Sequence, residues 1–549
     1  MPAAADLAGA IRPAERVLRE VFGFERFRPG QREVVEAVLA GQDCIAVMPT
    51  GAGKSLTFQL PAKLLPGTVL VVSPLISLMK DQVDALTELG LRATAINSTL
   101  EPGERSRRLD GLASGAYELV YLAPEALEGS LRRLLRSWSV SLLVVDEAHC
   151  ISQWGHDFRP AYRRLAGLKE ELGGVPVLAL TATATREVAR DILRQLGLRK
   201  PAGFKGSFYR PNLRLWVRKK GQGGHTRSEI LSLIRAAPGA SGIVYCLSRR
   251  AVDSTAEWLG RKGIRALRYH AGMDDADRHR NQDAFARGDA EVVVATIAFG
   301  MGIDKPDVRF VIHRDMPRDV ESWYQEFGRA GRDGLPSDCV LFYSWADVIL
   351  HQRFLDEIGD PGLERTKREA TTGLFRMVDR HVCRHRAVVS HFGERIAPCG
   401  DACDVCLGIT AETHIERLRR SQAMSRHGLP STMGGPGSVV TGPHNARPGG
   451  DRWTEADEEL FQRLRSIRRG LADERDVPAY VVFSDATLRD MTRRRPVDRA
   501  GLLAVSGVGP VKLERYGEAF LRVLRDQGHV QAGPSGAGEA ELPLPDGPG

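Results

Sequence analysis

The sequence predicts an α/β protein with two parallel-sheet domains, followed by a helical module and a small all-helical bundle. Short apolar runs recur along the chain, and each ends in a stretch rich in Gly, Pro or charged residues. Runs of this length, separated by helix-patterned segments, are typical of central strands in a parallel sheet with helices on both faces. They form two series, which indicate two domains: residues 43–47, 69–72, 118–122, 142–145 and 175–180, then 242–246, 292–295 and 309–312.

The domain boundaries follow from where each pattern stops. The two series are joined near residues 200–212, and the pattern becomes helical from about Asp356. From Ser425 the chain is rich in Gly, Pro, Ser and Thr and has no apolar period, which predicts a flexible linker. The Gly-, Pro- and Ala-rich end predicts disorder. We therefore expect a first sheet domain at 1–205, a second at 206–350, a helical module at 351–410, a linker at 411–450, a helical bundle at 451–530 and a disordered tail at 531–549.

The composition is that of an ordinary soluble globular protein. Hydrophobic residues make up 42% of the 549 residues and charged residues 27%, as is usual for such proteins. No apolar run is long enough to span a bilayer, and residues 1–12 lack the basic start and apolar stretch of a secretory signal. We therefore expect a cytoplasmic protein without a membrane partner. Lys and Arg number 77 against 69 Asp and Glu, and this excess mildly favours a polyanionic partner.

A glycine-rich turn, Thr50-Gly-Ala-Gly-Lys-Ser55, follows the first apolar run. Such glycines let backbone amides wrap phosphate groups, while Lys54 reaches the terminal phosphates and the Ser55 hydroxyl ligates magnesium. The full pattern has a Gly five residues before Gly53, where this chain has Met48. The hexapeptide alone therefore leaves open a merely structural turn. The nucleotide-binding residues predicted in this turn are Thr50, Gly51, Gly53, Lys54 and Ser55.

Two adjacent carboxylates, Asp146 and Glu147, follow the apolar run 142–145. In a nucleotide hydrolase this position carries the magnesium ligand and the residue that polarises the attacking water. Asp146 would hold magnesium together with Ser55, and Glu147 would act on the water. A solvated strand end is the alternative, but the buried run and the glycine-rich turn favour one site for ATP and Mg²⁺.

A second set of candidate catalytic residues lies in the second sheet domain, within residues 325–334. A guanidinium group of Arg329 or Arg332 could reach across a cleft and stabilise charge on the transferred phosphoryl group. Hydrolysis would then depend on how the two domains close. Gln325 is grouped with these arginines as catalytic. Taken alone, the motif favours an Arg-rich loop that faces solvent.

Residues 152–160 continue directly from the two carboxylates. They include Trp154, Phe158 and Arg159, residue types that stack on the bases of single-stranded nucleic acid and neutralise its backbone. Aromatic rings packed beneath a loop are the alternative, which is about equally good for Phe158 alone. The loop predicts a link between nucleic-acid binding and hydrolysis at Glu147.

Four of the eight cysteines lie within 24 residues. In a reducing compartment such spacing favours a closed tetrahedral zinc site with a structural role, and loss of the metal would unfold the module around it. Three histidines, His381, His385 and His391, could compete as ligands. Four unrelated buried cysteines are the weaker alternative. The predicted zinc ligands are Cys383, Cys399, Cys403 and Cys406, whereas Cys44, Cys150, Cys246 and Cys339 are predicted to be buried thiols.

Together these motifs resemble the RecQ family of DNA helicases, within helicase superfamily two. The resemblance runs from about Val21 to Cys406 and includes further motifs at residues 24–31, 73–82, 180–184, 269–273 and 295–306. It implies two RecA-like motor domains, a helical zinc-binding module, and ATP, Mg²⁺ and Zn²⁺ as cofactors. It also implies that Phe24 and Arg28 sandwich the adenine and that Gln31 hydrogen-bonds its edge.

The resemblance implies DNA rather than RNA as the substrate. RNA-unwinding relatives usually carry Asp-Glu-Ala-Asp and lack the aromatic loop, whereas the fourth residue here is His149. Ser73 begins a motif that tracks DNA, and Trp154, Phe158 and Arg159 are implied to sense single-stranded DNA. The implied function is ATP-driven movement on that strand, 3′ to 5′, with duplex unwinding in DNA repair and recombination.

Residues 451–527 resemble the HRDC domain, a small helical bundle, on the basis of residues 478–488 and 502–509. Gly507 and Gly509 lie in a turn between helices, where free amides could meet a DNA phosphate. Arg493, Arg494 and Arg495 could add charge. A tight turn with a solvated arginine face is the slightly favoured alternative.

The chain departs from the family in one respect. Only 44 residues, 407–450, separate the cysteine cluster from the HRDC-like segment, too few for the winged-helix domain that binds duplex DNA in the family. We expect that domain to be absent and unwinding to be weaker. A DNA-binding or strand-annealing protein that uses ATP as a switch is the alternative function. Expected partners are single-stranded and partially duplex DNA, with single-strand-binding protein as a further candidate, and the protein is expected to be a monomer.

Overall fold

The computed structural model describes residues 4–74, 76–97, 100–127, 130–153, 157–222, 224–300, 305–356, 361–426, 453–475 and 477–526. Most of the predicted linker and all of the predicted tail lie outside these residues. Within them the chain forms two parallel sheets with covering helices, a helical segment after the second sheet, and a separate helical bundle. The predicted fold class is thereby confirmed.

The first sheet has seven parallel strands: β1 (Cys44–Val47), β2 (Thr68–Val72), β3 (Ala93–Ile96), β4 (Leu119–Leu122), β5 (Val140–Val145), β6 (Val177–Thr181) and β7 (Ala202–Lys205). Their order is β3-β4-β2-β5-β6-β1-β7. Val69 and Val71 belong to one buried cluster, and Leu70 and Val72 belong to another. Both faces of β2 are therefore covered, which explains why its sequence is apolar throughout. The helices of this domain are α1 (Ala4–Glu20), α2 (Gln31–Leu39), α3 (Leu56–Ala62), α4 (Ile76–Glu88), α5 (Pro102–Ala113), α6 (Ser130–Leu134), α7 (Leu168–Glu171) and α8 (Arg186–Gln195).

The second sheet has six parallel strands: β8 (Leu213–Lys219), β9 (Ser241–Tyr245), β10 (Ala266–Tyr269), β11 (Val292–Ala295), β12 (Val308–His313) and β13 (Ser337–Tyr343). Their order is β10-β11-β9-β12-β13-β8. Its helices are α9 (Thr226–Arg235), α10 (Arg249–Arg261), α11 (Asp275–Arg287) and α12 (Val320–Phe327). The start of α12 is fixed by Asp319, whose side chain accepts a hydrogen bond from the Ser322 amide at 2.7 Å.

All eight predicted runs form strands, but the sequence did not predict β3, β7, β8, β10 or β13. Four of these strands, β3, β7, β8 and β10, are the edges of the two sheets. Of these, β7 and β10 are only partly buried and carry polar residues. In β8 three basic residues, Arg214, Arg218 and Lys219, interrupt the apolar run. Each of them is paired with a carboxylate in the structure. These ion pairs, which the local sequence pattern does not reveal, stabilise the charged side chains in the strand.

The helical segment contains α13 (Trp345–Leu355), α14 (Pro361–Asp379), α15 (Arg384–His391), α16 (Asp404–Leu407) and α17 (Ala411–Arg426). The prediction that residues 411–426 belong to the linker is wrong. Ala411, Ile415 and Leu418 recur at helical spacing and pack into the apolar cluster around α9. His414 stacks on Trp216 with 4.1 Å between ring centroids. The segment is therefore part of the second domain's surface.

The bundle contains α18 (Glu455–Asp473), α19 (Ala479–Val482), α20 (Asp485–Arg494), α21 (Arg499–Leu503) and α22 (Pro510–Asp526). Its own apolar core includes Leu464, Phe483 and Phe520, so it is a separate folding unit. Its three consecutive arginines have partners within the bundle: Arg494 pairs with Asp490, Arg495 pairs with Asp457, and Arg493 lies over the Trp453 ring. Nowhere in the described ranges does a helix combine the length and apolarity needed to cross a bilayer.

The predicted chemistry converges at the carboxyl edge of the first sheet. Strands β2, β5, β6 and β1 are neighbours and run in the same direction. Residues that follow them therefore lie side by side: Ser73 after β2, Asp146 after β5, Thr181 at the end of β6 and the glycine-rich turn after β1.

Candidate active site

A cavity of about 410 Å³ lies between the two sheet domains. Both domains contribute to its wall, and most of the predicted nucleotide and catalytic residues line it. These are Arg28, Thr50, Gly51, Gly53, Lys54, Ser55, Asp146, Glu147, Gln325, Arg329 and Arg332.

The glycine-rich turn needs glycine at two positions. Gly51 and Gly53 have φ angles of 82° and 80°, which L-residues with side chains rarely adopt. A Cβ atom on Gly53 would also lie 2.4 Å from Nε2 of Gln31. Ser55 directly precedes α3. The turn is therefore held tightly against the motif at residues 24–31.

Lys54 and the two carboxylates form one charged cluster. Lys54 Nζ lies 3.3 Å from Glu147 Oε1, and Asp146 Oδ1 accepts a hydrogen bond from the Glu147 amide at 3.0 Å. Glu147 has left-handed backbone angles, φ 46° and ψ 46°, a strained conformation for this residue type. Burial and the Glu147 charge raise the pKa of Asp146. Burial would also raise the pKa of Glu147, but Lys54 and His149 hold it well below its usual range.

A chain of polar contacts runs from Glu147 to the second domain. His149 Nδ1 lies 3.3 Å from Glu147 Oε2 and 2.9 Å from Thr181 Oγ1. Thr181 Oγ1 donates to the Thr183 carbonyl at 2.9 Å. Gln325 Nε2 then donates to Thr183 Oγ1 at 3.3 Å. Gln325 of the second domain is thereby connected to Glu147 of the first through Thr183, Thr181 and His149.

Arg210 is a further residue of this cleft that sequence reasoning missed. Its guanidinium donates to the Thr50 carbonyl at 2.5 Å and to the Gly331 carbonyl at 2.9 Å. It therefore joins the glycine-rich turn to the loop that carries Arg329 and Arg332. The only sequence signal is an arginine within the predicted joint between domains. Arg329 is itself only 9% exposed, so it does not form the solvent-facing loop of the alternative interpretation.

The motif at residues 24–31 contacts the turn, but not through all of its predicted residues. Gln31 is buried, and its Nε2 donates to the Gly53 carbonyl at 2.9 Å. Arg28 donates to the Gly51 carbonyl at 2.5 Å. Phe24 is 38% exposed and is not part of the cavity wall, whereas Phe22 is. The adenine contacts implied for Phe24, Arg28 and Gln31 stay predictions.

The aromatic loop is described only in part, because Trp154 lies outside the described residues. Arg159 Nη1 donates to the Pro74 carbonyl at 3.2 Å, and its Nε donates to Asp157 at 3.2 Å. The Arg163 guanidinium lies 5.7 Å from the centre of the half-buried Phe158 ring. Ser73 is 1% exposed, so its hydroxyl does not face solvent in this conformation. The DNA-binding roles of these residues stay predictions.

The four clustered cysteines come together in space. The Sγ atoms of Cys383, Cys399, Cys403 and Cys406 all lie within 4.8 Å of one another. Hydrogen bonds from Cys399 lower the pKa of Cys403 to about 5, which favours the thiolate that metals bind. Two histidines have other partners, since His385 contacts the Leu213 carbonyl and His391 contacts Glu321. The set of four sulfur donors fits a tetrahedral zinc ion.

A buried ion pair supports the cysteine cluster. Arg384 follows Cys383, Asp404 follows Cys403, and the two side chains pair through contacts of 2.9 and 3.2 Å. Asp404 also accepts a hydrogen bond from the Val217 amide of β8 at 3.2 Å. The cluster is therefore tied to the second sheet.

Four family models match the chain. They are the DEAD/DEAH box helicase at residues 28–192, the helicase conserved C-terminal domain at 226–334, the RecQ zinc-binding domain at 345–407 and the HRDC domain at 457–524. Together they cover both sheets, the cysteine cluster and the bundle.

Curated relatives match almost the whole chain. The ATP-dependent DNA helicase RecQ of Haemophilus influenzae is 36% identical over an alignment of 601 positions, which covers 94% of this chain and 96% of the relative. The protein of the same name from Pasteurella multocida is 38% identical over an alignment of 599 positions, which covers 94% of each chain. Among solved structures, Saccharomyces cerevisiae Dbp5 bound to RNA and ADP BeF3 is 16% identical with a TM-score of 0.50, covering 67% of this chain and 98% of that one. That likeness shows the fold alone. At the identity and coverage of its curated relatives, the chain belongs to the RecQ family of ATP-dependent DNA helicases.

Proposed function

We propose that the cavity between the two sheet domains is where this helicase binds and hydrolyses ATP. The observation that carries the proposal is the convergence of both domains on one cluster, in which Lys54 Nζ lies 3.3 Å from Glu147 Oε1 while Arg329 and Arg332 line the opposite wall. A site divided in this way opens and closes with the domains, so that each ATP turnover moves them relative to each other.

Lys54 and the amides of the glycine-rich turn bind the phosphates, and Ser55 and Asp146 hold Mg²⁺. A hydroxyl and a carboxylate are oxygen donors that Mg²⁺ prefers beside phosphate. The raised pKa of Asp146 also suits a cation site, because a bound cation favours the carboxylate form. When bound, Mg²⁺ would neutralise charge on the phosphates.

Glu147 orients and polarises the attacking water. Its lowered pKa keeps it a carboxylate at neutral pH, and its strained backbone aims it toward Lys54. Arg329 and Arg332 stabilise the negative charge that develops on the transferred phosphoryl group. The Gln325–Thr183 hydrogen bond responds to closure of the two domains. Contacts of Thr181 and His149 connect Thr183 with Glu147.

The loop at residues 152–160 couples DNA binding to this site, with Trp154, Phe158 and Arg159 as the contacts and Ser73 on the adjacent strand end. Arg159 supports this role because it joins the loop to Pro74, directly after Ser73. The direction of movement is 3′ to 5′, the substrates are single-stranded and partially duplex DNA, and the setting is DNA repair and recombination. The protein acts as a cytoplasmic monomer, with single-strand-binding protein as a partner.

Cys383, Cys399, Cys403 and Cys406 hold a structural zinc ion. Four thiolates leave no open coordination position, so the ion would stabilise the module rather than react. The Arg384–Asp404 pair links its stability to that of β8.

Unwinding is weak compared with that of relatives that carry a winged helix. The alignment with the Haemophilus influenzae relative spans 601 positions, more than the 549 residues of this chain, so the relative carries residues without a counterpart here. The short segment 407–450 is where we place the difference. A DNA-binding or annealing protein with ATP as a switch is the second candidate, and steady hydrolysis with little unwinding of tailed duplexes would favour it.

Lys54→Ala tests the ATP site. We expect it to abolish steady-state ATP hydrolysis with and without single-stranded DNA, because it removes the ammonium group that meets the terminal phosphates. Lys262→Ala, an exposed lysine outside the cavity, is the matched control and should hydrolyse ATP normally. Normal hydrolysis by Lys54→Ala would contradict the proposed site.

A further inference from the structure

The HRDC bundle lies directly against the first sheet domain. Arg515 Nη1 donates to the Glu88 carbonyl at 2.9 Å, and the Tyr516 hydroxyl donates to Glu88 Oε2 at 3.0 Å. The Gly507 amide donates to the Gly23 carbonyl at 3.0 Å. The turn considered above as a DNA-phosphate site therefore contacts the chain beside the adenine motif.

Two glycines make this approach possible. Gly23 has a φ angle of 71°, and a Cβ atom on it would lie 2.5 Å from the Gly509 nitrogen. Any side chain at Gly23 would thus collide with the backbone of the bundle. The close backbone contact indicates a specific docking geometry rather than a loose encounter.

The bundle also contacts the second sheet domain. Arg469 forms an ion pair with Asp289, both about half exposed. A second cavity, of about 230 Å³, lies between the bundle and the second sheet domain. Lys305 and Asp307 of the domain line one side, and Arg465 and Arg468 of the bundle line the other. The bundle therefore spans both domains whose separation changes during ATP turnover.

Tyr480 of α19 brings the bundle to the nucleotide cavity itself. This half-buried side chain lines the cavity together with Phe22, Leu86 and Leu89 of the first domain. Phe22 precedes Gly23, and the two leucines flank Glu88, so this end of the cavity lies beside the docking contacts. Its apolar and aromatic wall suits the flat face of a nucleotide base.

We propose that the docked HRDC bundle forms a third wall of the ATP site, with Tyr480 as a residue that contacts the bound nucleotide, and that docking raises the affinity for ATP. The proposal rests on the assignment of the cavity as the ATP site. The Arg469–Asp289 pair is about half exposed and the Arg515–Glu88 pair is partly exposed. Because such ion pairs are individually weak, we expect docking to be reversible. High salt would weaken it further.

The KM for ATP of the full chain with saturating single-stranded DNA tests the proposal. Tyr480→Ala is expected to raise the KM about three- to tenfold, the size of one lost aromatic contact, with kcat within about twofold. Arg515→Glu removes a docking contact that lies outside the cavity and should raise the KM similarly. Glu88→Arg combined with Arg515→Glu should restore it, because the charges are exchanged. Arg522→Glu, an exposed change on the same helix, is the control.

Amide hydrogen exchange reports docking separately, since the Gly507 amide loses its partner when the bundle leaves. Arg515→Glu should speed exchange around Gly507, whereas Tyr480→Ala should not. An unchanged KM in Tyr480→Ala would overturn the proposal. A raised kcat at unchanged KM in Arg515→Glu would also overturn it, because it would show that the docked bundle inhibits hydrolysis. If Lys54→Ala still abolishes hydrolysis in either case, the assignment of the cavity as the ATP site is retained and only the role of the bundle is refuted.

Discussion

Gln325 of the second sheet domain donates a hydrogen bond to Thr183 of the first, with 3.3 Å between Nε2 and Oγ1. The Thr183 carbonyl accepts a hydrogen bond from Thr181, whose hydroxyl lies 2.9 Å from His149 Nδ1. His149 Nδ1 in turn lies 3.3 Å from Glu147 Oε2. A short series of side chains therefore connects the second domain to Glu147, the carboxylate that we propose acts in hydrolysis.

Removal of this hydrogen bond should slow hydrolysis rather than binding. A neutral hydrogen bond is worth about 1 kcal/mol, so Gln325→Ala should lower the DNA-stimulated kcat roughly fivefold with little change in the KM for ATP. The exposed Gln42→Ala is the control. In a Thr183→Val background Gln325→Ala should cost little more. Additive losses in the double variant would show that the two side chains act independently.

Trp154→Ala should separate DNA sensing from hydrolysis. Basal ATP turnover should persist, because Trp154 is not among the predicted catalytic residues. The DNA concentration for half-maximal stimulation should rise roughly fivefold or more, since stacking on one base is worth about 1–3 kcal/mol. Trp345→Ala replaces a tryptophan of α13 that is 48% exposed and serves as the control. Undiminished stimulation in Trp154→Ala would refute a sensing role for the loop.

Removal of one thiol from the cysteine cluster should prevent zinc binding. Cys403→Ser is expected to lose most of the bound zinc in elemental analysis and to melt at a lower temperature, because the ion supplies folding energy to its module. Cys44→Ser changes a buried cysteine of β1 and should keep its zinc. Equal zinc content in the two variants would argue against the cluster as the binding site.

The pH dependence of hydrolysis should follow Asp146. Its pKa is raised by burial and by the Glu147 charge, so protonation begins at a higher pH than for an ordinary aspartate near about 3.9. The protonated form cannot hold Mg²⁺, and activity at limiting Mg²⁺ should therefore fall as the pH is lowered. Added Mg²⁺ should restore it, because the cation favours the carboxylate. An acid loss that excess Mg²⁺ does not reverse would point to another group.

Strand patterns explain why much of the fold could be predicted. Residues 292–295 are buried on both faces and are apolar at every position, so the sequence alone identifies the strand. Residues 202–205 form an edge strand with alternating burial, and their apolar signal is correspondingly weak. The sheet neighbours of such a strand, not its composition, decide its conformation.

The local motifs of the candidate active site could be recognised in the sequence, but contacts between domains could not. The glycine-rich turn and the paired carboxylates each occupy a few consecutive residues. Arg210 joins two loops that lie far apart in the chain, and Tyr480 reaches the cavity from the bundle. No local pattern marks such residues, because their partners are set by the tertiary structure.

Glu147→Gln tests the proposed hydrolytic site most directly. The substitution keeps the size of the side chain but removes the charge to which we assign the polarisation of the attacking water. We expect ATP binding to persist and the kcat to fall by roughly two to four orders of magnitude, with or without single-stranded DNA. A kcat within about twofold of the unmodified protein, measured at saturating ATP, would contradict the assignment of Glu147 and of the cavity around it.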